Sequence, residues 1–522
     1  KANQMVYQRI CRDEMIKHGL RPTHIAKILP LAVASCFIKT FEEELAEKIC
    51  EEACVRDGAF YNREPIPEME CLGGLLVTSG FTTPTVRGEP EGMEVTKGPP
   101  LAKPRKLYRF TGMGPNIRYG VHDHSLGNVR RGLVERVFMV EREGKLVPTI
   151  KPTPGEFEST QSRFRQQLLD VTAKTTRCTP DEFLGFYSGR KLERYTEAVE
   201  SLQVIPVREK DSFLSTFVKA EKINLTAKPD PAPRVIQPRD PRYNVEVGRY
   251  LRGAEKILFR GIDRMFGGRT IFKGINADTA GMEFKSIWDQ FESPVGIGMD
   301  ASRFDQHISV EALEFEHSIW RELFPMSERP HLNKLLKWQL KNRGLARCPD
   351  GSVRYRVDGC RMSGDMNTSS GNCLIMCSTV WSWCVSKKIN KFRLANNGDD
   401  CMLIVEKCDE KKVLDGIIPY YTKLGFTMKV EKPVYDLECV EFCQTRPVLV
   451  NGKYRMIRNL HQSMSKDLHS LLDLSNDVNL KSWVTSVGVS GRIMNDGVPV
   501  LSRFFNQYPD FSKELGGKTG VT

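Results

Sequence analysis

Residues 392–405 constrain this chain more than any other stretch, because they predict a hairpin with an acidic tip. Two short apolar runs flank Asn397-Gly398-Asp399-Asp400. Asn-Gly between strand-like runs predicts a tight turn, since both residue types tolerate positive φ. Two adjacent carboxylates cannot be buried unpaired, so Asp399 and Asp400 either face water or bind a cation. A solvated acidic turn is the simpler alternative, and other segments have to decide between the two.

Length and charge narrow the class of protein. A chain of 522 residues is too long for one ordinary core and predicts several domains or one large multi-lobed enzyme. Lys and Arg exceed Asp and Glu by 12, which favours a polyanionic partner, with nucleic acid as the first candidate. The 15 Cys are scattered and form no Cys-x-x-Cys pair, so we expect reduced thiols and no zinc site.

The pattern along the chain predicts its main elements. Residues 1–70 and 156–205 are typical of helices, and the Gly- and Pro-rich residues 72–105 indicate an irregular connector. A strand should end at Asp300, with a core-facing helix from Val310. Further predictions are a strand at 353–357, helices at 369–386 and 409–424, a strand at 426–430 and a second hairpin around Asn451-Gly452. No signal peptide is visible, and the apolar residues 28–38 are too few to span a bilayer, so any membrane anchor should lie outside this chain.

Residues 217–239 form a basic segment interrupted by four prolines. Proline removes backbone freedom, so the cations of this segment should sit on a stiffened loop. A stiff row of positive charge favours binding of a triphosphate. A solvated basic loop is the alternative. The cations of this segment are Lys219, Lys222, Lys228, Arg234 and Arg239.

Three polar units follow one another in the sequence. The first is Asp300 with Asp305, the second is a Ser363-Gly364 turn before a helix, and the third is Asp399-Asp400. Strand ends and hairpin tips can bring carboxylates together above one sheet. Oxygen ligands suit hard divalent cations. Two Mg²⁺ ions about 4 Å apart could then activate a 3′-hydroxyl and stabilise a leaving pyrophosphate.

The ordered segments GMDASRFD (298–305), SGDMNTSSGN (363–372) and NGDD (397–400) resemble the RNA-dependent RNA polymerases of positive-strand RNA viruses. The pattern is most similar to plant viruses of the tombusvirus and carmovirus group. AKPDPAPRVIQPR at 227–239 and EFCQTRP at 441–447 extend the resemblance, which covers about residues 105–460.

The resemblance implies roles for the matching residues. It implies template-directed RNA synthesis, with two Mg²⁺ ions, replaceable by Mn²⁺, bound by the three catalytic aspartates. A lysine would protonate the pyrophosphate; Lys432 is the candidate, and Lys429 stays open. The implied catalytic residues are Asp300, Asp399, Asp400 and Lys432. The three aspartates are also the implied metal ligands. The implied nucleotide-binding residues are Asp305, Ser363, Thr368, Asn372, Lys222, Lys228 and Arg234. The implied RNA-binding residues are Gly364, Glu441, Phe442, Cys443 and Gln444.

The implied fold is an α+β right hand of fingers, palm and thumb, with an antiparallel palm sheet backed by helices. Residues 1–104 would form an N-terminal helical region and connector. Fingers would take 105–290, the palm 291–308 and 356–445, fingers and palm helices 309–355, and the thumb and tail 446–522. The family also implies viral template and product RNA, ribonucleoside triphosphates, a membrane-anchored viral replication protein and host factors as partners. It implies a readthrough replicase in a membrane-associated complex of the host cytoplasm.

Two other functions remain open at this point. A reverse transcriptase would share the aspartates, but Asp305 and Asn372 favour ribonucleotides, because their polar groups can bind the 2′-hydroxyl. A basic RNA-binding or assembly protein without catalysis would not need three separated acidic units.

Overall fold

The structure is a computed structural model that describes residues 69–516, except residues 73–74, 84–87, 89, 102 and 111–116. The helices predicted at 1–68 and the tail at 517–522 lie outside the described residues.

Short strands and helices alternate in the first half. In chain order they are β1 (Met69–Leu72), β2 (Leu75–Ser79), β3 (Met93–Lys97), β4 (Lys106–Phe110), β5 (Tyr119–Gly120), α1 (Leu126–Leu133) with a π-helical turn (Val134–Phe138), β6 (Met139–Arg142), β7 (Lys145–Pro148), α2 (Glu156–Val171), α3 (Pro180–Leu184), α4 (Gly189–Val204), β8 (Leu214–Val218), β9 (Ile223–Asn224), β10 (Val235–Ile236), α5 (Pro241–Met265) and α6 (Ala277–Trp288).

The second half holds the central sheet and a helical C-terminal region. Its elements are β11 (Pro294–Ala301), α7 (Phe304–His307), α8 (Val310–Glu322), α9 (Arg329–Lys337), β12 (Lys341–Cys348), β13 (Gly351–Asp358), α10 (Thr368–Ser386), β14 (Phe392–Asn397), β15 (Asp400–Glu406), α11 (Glu410–Lys423), β16 (Met428–Val430), β17 (Thr445–Val450), β18 (Lys453–Arg458), α12 (Leu460–Lys466), β19 (His469–Ser470), α13 (Asp477–Met494) and α14 (Leu501–Asn506).

The central sheet is antiparallel, with strand order β14-β15-β11-β16. Alternate side chains point to opposite faces of a strand, so each strand serves two clusters. Ile297 and Met299 belong to the main core, which α2, α5, α8, α9, α10 and α11 also build. Met402 and Ile404 belong to a second cluster on the other face, with α6 and β18. The helices on one face do not cover the C-terminal end of β11 or the start of β15. These strand ends stay accessible beyond the second cluster.

Helix starts follow local capping chemistry. Ser309 precedes α8, and its hydroxyl accepts a hydrogen bond from the backbone N–H of Ala312 at 3.1 Å. Asp240 caps α5 in the same way, and Pro241 occupies the first helical position, where no N–H is needed. Both helices therefore begin where the sequence supplies a cap.

Two further sheets surround the central one. A five-stranded sheet has the order β10-β8-β12-β13-β3, and its β8–β12 pair is parallel. A four-stranded sheet has the order β1-β2-β4-β19, so it joins the earliest described strands to one near the C-terminus. A separate C-terminal cluster packs β17 and β18 against α12, α13 and α14.

The elements predicted around the acidic units are confirmed. Helices α8, α10 and α11 occupy the predicted stretches within one or two residues. Gly425 ends α11 with φ +84°, as a C-terminal glycine should. Asn451 and Gly452 both have positive φ, which gives β17–β18 the two-residue turn that their sequence predicts.

The connector prediction for residues 72–105 is wrong in part. β2 and β3 form there and pair with β4 and β13. Most of β3 is exposed, and its short alternation of Met93 and Val95 with polar residues lies among glycines and prolines that indicate a loop. Pairing with β13, rather than its own residue pattern, makes this segment a strand. The predicted strand 426–430 is also shorter, since pairing begins at Met428.

The fold class is confirmed at a coarse level, because the described residues combine helices with mostly antiparallel sheets. The division into fingers, palm and thumb stays a prediction.

Candidate active site

The predicted acidic hairpin is β14–β15, and its turn is centred one residue later than expected. Asn397 and Asp400 are its last paired residues, so Gly398 and Asp399 form the two-residue loop. Gly398 has φ +92°, whereas Asn397 remains in the strand. A loop with glycine first is the type II′ pattern, which follows the twist of the strands. Asp399 therefore lies at the tip and Asp400 at the start of β15.

Asp300 and Asp400 lie directly opposite each other on β11 and β15. Asp300 points away from the main core, because its neighbour Met299 points into it. Asp300 and Asp399 are exposed, and Asp400 is half-buried. The antiparallel register thus gathers two of the three predicted aspartates, and the turn adds the third next to them.

A main-chain donor holds one of these carboxylates. The backbone N–H of Cys443 donates to Oδ2 of Asp400 at 2.8 Å. Burial raises the pKa of Asp400, the Cys443 bond partly offsets this, and the charges of Asp399 and Asp300 raise the pKa further. The three carboxylates therefore repel one another, and a bound cation would relieve that repulsion.

The three carboxylates are chemically suited to bind a divalent cation. Carboxylate oxygens are the ligands that Mg²⁺ prefers. Among the described residues, however, no group of three or more His, Cys, Asp or Glu side chains is arranged as a metal site. The residue types and their register suit Mg²⁺, and the coordination geometry is not formed in this structure.

Asp305 and Asn372 are in direct contact, although 67 positions separate them. Nδ2 of Asn372 donates to Oδ1 of Asp305 at 2.7 Å. Burial raises the pKa of Asp305, while the Asn372 bond and the charge of Arg361 lower it. Asn372 lies on α10, and Asp305 lies on the short helix α7 that follows β11. Two predicted nucleotide-binding residues are therefore together.

The Ser363-Gly364 turn packs against the basic segment. The Ser363 hydroxyl donates to the carbonyl of Val235 and accepts from the N–H of Gln237, both at 3.3 Å. A Cβ on Gly364 would lie 2.5 Å from Cα of Pro238. Only glycine allows this close approach of two backbones, so the turn fixes the path of residues 235–238.

Thr368 stabilises its own turn rather than contacting Asp305 or Asn372. Its hydroxyl donates to the carbonyls of Met362 and Asp365, at 2.8 and 2.9 Å. The structure therefore does not bring Thr368 into contact with the Asp305–Asn372 pair.

Lys222 is bonded to the C-terminal region. Its Nζ donates to the carbonyls of Lys466 and His469, at 2.8 and 2.9 Å. Burial lowers the pKa of Lys222 to about 8, with smaller effects from nearby charges. Its role in binding a triphosphate stays a prediction, and in this structure the ammonium group is engaged by two main-chain carbonyls.

The other two cations of the basic segment are free to meet a ligand. Lys228 and Arg234 are exposed. Arg234 makes a 3.3 Å ion pair with Glu221, and its charge acts on the pKa of Asp305. Arg234 is thus the member of this group whose charge reaches the Asp305–Asn372 pair.

The register favours Lys429 over Lys432 as a neighbour of the aspartates. Lys429 lies opposite Asp300 on β16, whereas Lys432 lies beyond the end of that strand. Both lysines are exposed. The assignment of Lys432 stays a prediction, with Lys429 closer by register.

The predicted RNA-binding stretch forms a strained turn. Cys443 and Gln444 both have positive φ, 51° and 60°, which is uncommon for residues with a Cβ. Phe442 is buried in the second cluster, and Glu441 pairs with Arg446 at 2.9 Å. This turn places the Cys443 amide at the acidic hairpin β14–β15.

The described cysteines are free thiols, as predicted. The described helices include none that is long and apolar enough to cross a membrane.

Comparison with known proteins decides the family. Residues 93–519 match a model described as viral RNA dependent RNA polymerase. The chain belongs to this family. Template-directed RNA synthesis is the activity of the family, and the predicted resemblance is confirmed. Residues 1–42 of the polymerase match a second model, described as Tombusvirus p33.

Plant virus polymerases are similar along nearly the whole chain. The polymerase is 68% identical over 518 residues to the RNA-directed RNA polymerase of tobacco necrosis virus (strain D), covering 99% of this chain and 71% of the relative. It is 45% identical to those of Cymbidium ringspot virus and tomato bushy stunt virus (strain Cherry), covering 97% of this chain and 61% of each relative. The chain therefore spans less than two thirds of these last two.

Sequence reasoning missed two features of this polymerase site. The Cys443 amide was not predicted to bind Asp400, because a main-chain contact leaves no mark on residue type. Arg361 and Glu316 were also missed, although a glutamate within the apolar stripe of α8 is a signal that a buried partner exists.

Proposed function

We propose that this polymerase joins ribonucleotides on an RNA template at the open ends of β11 and β15. Asp300, Asp399 and Asp400 would hold two Mg²⁺ ions, which Mn²⁺ could replace. When bound, the metals supply charge that activates the 3′-hydroxyl and neutralises the leaving pyrophosphate. The carrying observation is the register that sets Asp300 opposite Asp400 with Asp399 in the adjoining turn.

The nucleotide would lie over the Asp305–Asn372 pair. Asp305 Oδ2 can accept the 2′-hydroxyl proton, and Asn372 Nδ2 has a second N–H to donate. Arg234 and Lys228 would bind the triphosphate, and Lys222 could join only by leaving its two carbonyl acceptors. The Ser363 and Thr368 hydroxyls would support this site by stabilising the turn before α10.

Proton transfer and RNA positioning complete the proposal. Lys432 or Lys429 would protonate the pyrophosphate. The strand that begins in residues 441–444 would support the growing 3′ end, and Gly364 would act on the RNA path indirectly, by letting Pro238 pack against its backbone. Membership of the family supports a right-hand fold, in which fingers, palm and thumb surround these groups.

We also propose that the polymerase works on a host membrane, together with a viral replication protein and host factors. The similarity of residues 1–42 to a model described as Tombusvirus p33 supports this proposal.

The test removes one carboxylate charge. Asp399→Asn should reduce Mg²⁺-dependent nucleotide incorporation on an RNA template to background, because a metal ligand is lost without added bulk. Asp415→Asn, an exposed aspartate on α11, is the matched control and should keep full incorporation.

RNA binding is measured on both variants by a filter or fluorescence assay. If Asp399→Asn incorporates nucleotides at the rate of Asp415→Asn, the carboxylates are not the catalytic centre. If both variants bind RNA equally and only Asp399→Asn is inactive, a purely RNA-binding role is excluded.

A further inference from the structure

A buried ion pair lies behind the Asp305–Asn372 pair. Arg361 and Glu316 bond through Nη2 and Oε2, and both side chains are 0% exposed. Glu316 belongs to α8, and Arg361 lies just before the Ser363 turn. Removing two charges from water is costly unless each is well hydrogen-bonded.

The glutamate is held rigidly. Its Oε1 accepts from Nε1 of Trp320 at 3.0 Å and from Nδ2 of Asn367 at 2.7 Å. A Cβ on Gly371 would lie 2.4 Å from Nη2 of Arg361, so the absence of a side chain there makes room for the guanidinium. The surroundings therefore fix Arg361 in one place.

The arginine in turn determines how the Asn372 amide is oriented. Nε of Arg361 donates to Oδ1 of Asn372 at 3.0 Å. An arginine can only donate, so the amide oxygen must face it, and Nδ2 must face Asp305. The bonds form one series from Glu316 through Arg361 and Asn372 to Asp305.

Stability alone does not account for this arrangement. Among the described residues, Nη1 of Arg361 finds no hydrogen-bond partner. A buried, incompletely satisfied charge lowers stability compared with an apolar side chain of the same volume. Of the hydrogen bonds that this pair makes and an apolar pair could not, the one from Nε of Arg361 to the amide oxygen of Asn372 leads toward Asp305.

We propose that Arg361, held by Glu316, is a positioning residue for sugar selection, because it orients the Asn372 amide toward the ribose. The proposal rests on the proposed function of Asp305 and Asn372 as the groups that bind the 2′-hydroxyl. Neither Arg361 nor Glu316 touches the nucleotide.

The test is the double variant Arg361→Met/Glu316→Gln. It removes both charges together, leaves no unpaired ion, and retains an acceptor for Trp320 and Asn367. The preference for ribonucleotides over 2′-deoxynucleotides, measured as the ratio of kcat/KM values, should fall roughly threefold to tenfold, the range expected for one hydrogen bond. The loss should come mainly from a higher KM for the ribonucleotide.

The matched control is Arg131→Met/Glu135→Gln. This pair is also buried, at 4% and 6% exposure, and the other side-chain bonds of its arginine go to Thr83 and Asp230 rather than to Asn372. It should lower stability to a similar extent while leaving the sugar ratio unchanged. A merely structural role of Arg361 predicts that the two double variants behave alike, and that result would overturn the proposal.

Asn372→Ala separates this inference from the proposed function. If Asn372→Ala leaves the sugar ratio unchanged, the ribose-binding function itself fails. If Asn372→Ala lowers the ratio and Arg361→Met/Glu316→Gln does not, only the positioning inference fails. Combining the two changes should add nothing to the sugar effect of Asn372→Ala, since both act through one amide.

Discussion

At the scale of single residues, the site depends on how a few polar groups are shared. Asn372 uses its oxygen for Arg361 and one N–H for Asp305, which leaves the second N–H for a ligand. One carboxylate oxygen of Asp400 accepts the hydrogen bond from the Cys443 amide, and the other oxygen is left for a ligand. Each of these side chains is therefore held on one side and open on the other.

Asn372→Ala tests the open side of that amide. A site that binds a hydroxyl rejects the analogue lacking it, because its own polar groups are left unpaired. We expect incorporation of ribonucleotides to fall more than that of 2′-deoxynucleotides, narrowing the preference by about 1 to 2 kcal/mol. The measurement is a competition between the two sugars on one RNA template.

Asn244→Ala is the matched control, since both asparagines are 7% exposed and Asn244 lies on α5. An equal loss for both sugars with Asn372→Ala would show that this residue serves general positioning only.

At the scale of elements, the basic segment has two parts with different environments. Arg234 and Lys228 are exposed, whereas Lys222 just before β9 binds carbonyls at and just beyond the end of α12. Carbonyls at a helix C-terminus attract cations. The segment therefore connects the nucleotide side of the molecule to its C-terminal region.

Lys222→Ala should act mainly on that connection. Losing two charge-assisted hydrogen bonds should destabilise the contact with α12 by about 2 kcal/mol, measured as faster hydrogen exchange in α12 and a lower Tm. The KM for nucleotides should rise less than in Arg234→Ala, and Lys210→Ala, at an exposed lysine outside the basic segment, controls for the loss of one exposed cation. A KM effect of Lys222→Ala as large as that of Arg234→Ala, with unchanged exchange, would instead support triphosphate binding by Lys222.

Elements also show what could be predicted from sequence. The hairpin β14–β15, the helix α10 and the strand end at Asp300 follow from local patterns, because alternation and turn residues act over few positions. The destination of Lys222 could not be predicted, since its acceptors lie more than 240 positions away and are main-chain atoms. The turn shift at Gly398 has a local cause: Asn397 is held in β14 by pairing with Asp400.

At the scale of the whole molecule, the sheet β1-β2-β4-β19 joins the N-terminal and C-terminal parts of the described chain. His469 and Ser470 pair with Arg109 and Tyr108. His469 bonds the carbonyl of Ser465 through Nδ1 at 2.8 Å and packs on the ring of Tyr119. This small contact joins segments about 360 positions apart.

Acid should weaken this contact. Burial lowers the pKa of His469 to about 3, the bond to Ser465 opposes this, and the charges of Arg109 and Lys222 lower the pKa further. The unfolded segment binds a proton near pH 6.5, so stability is complete above that pH and is lost as pH falls toward 3. Between pH 7 and pH 5 the loss should be about 2 kcal/mol.

Hydrogen exchange in β4, corrected for intrinsic rates, measures the opening of this contact. His469→Gln should flatten its pH dependence, and His461→Gln on α12 should not. An unchanged pH dependence in His469→Gln would assign the effect to other groups.

The pairing of β4 with β19 also has a consequence in time. A ribosome makes β4 first and reaches β19 only about 360 residues later, because β4 spans Lys106–Phe110 and β19 spans His469–Ser470. Until then one edge of β4 lacks this partner, and Lys222 lacks its carbonyl acceptors. Unpaired edges invite pairing with other chains, and domains fold in order of synthesis. The nascent polymerase therefore stays open at this edge until β19 has been made.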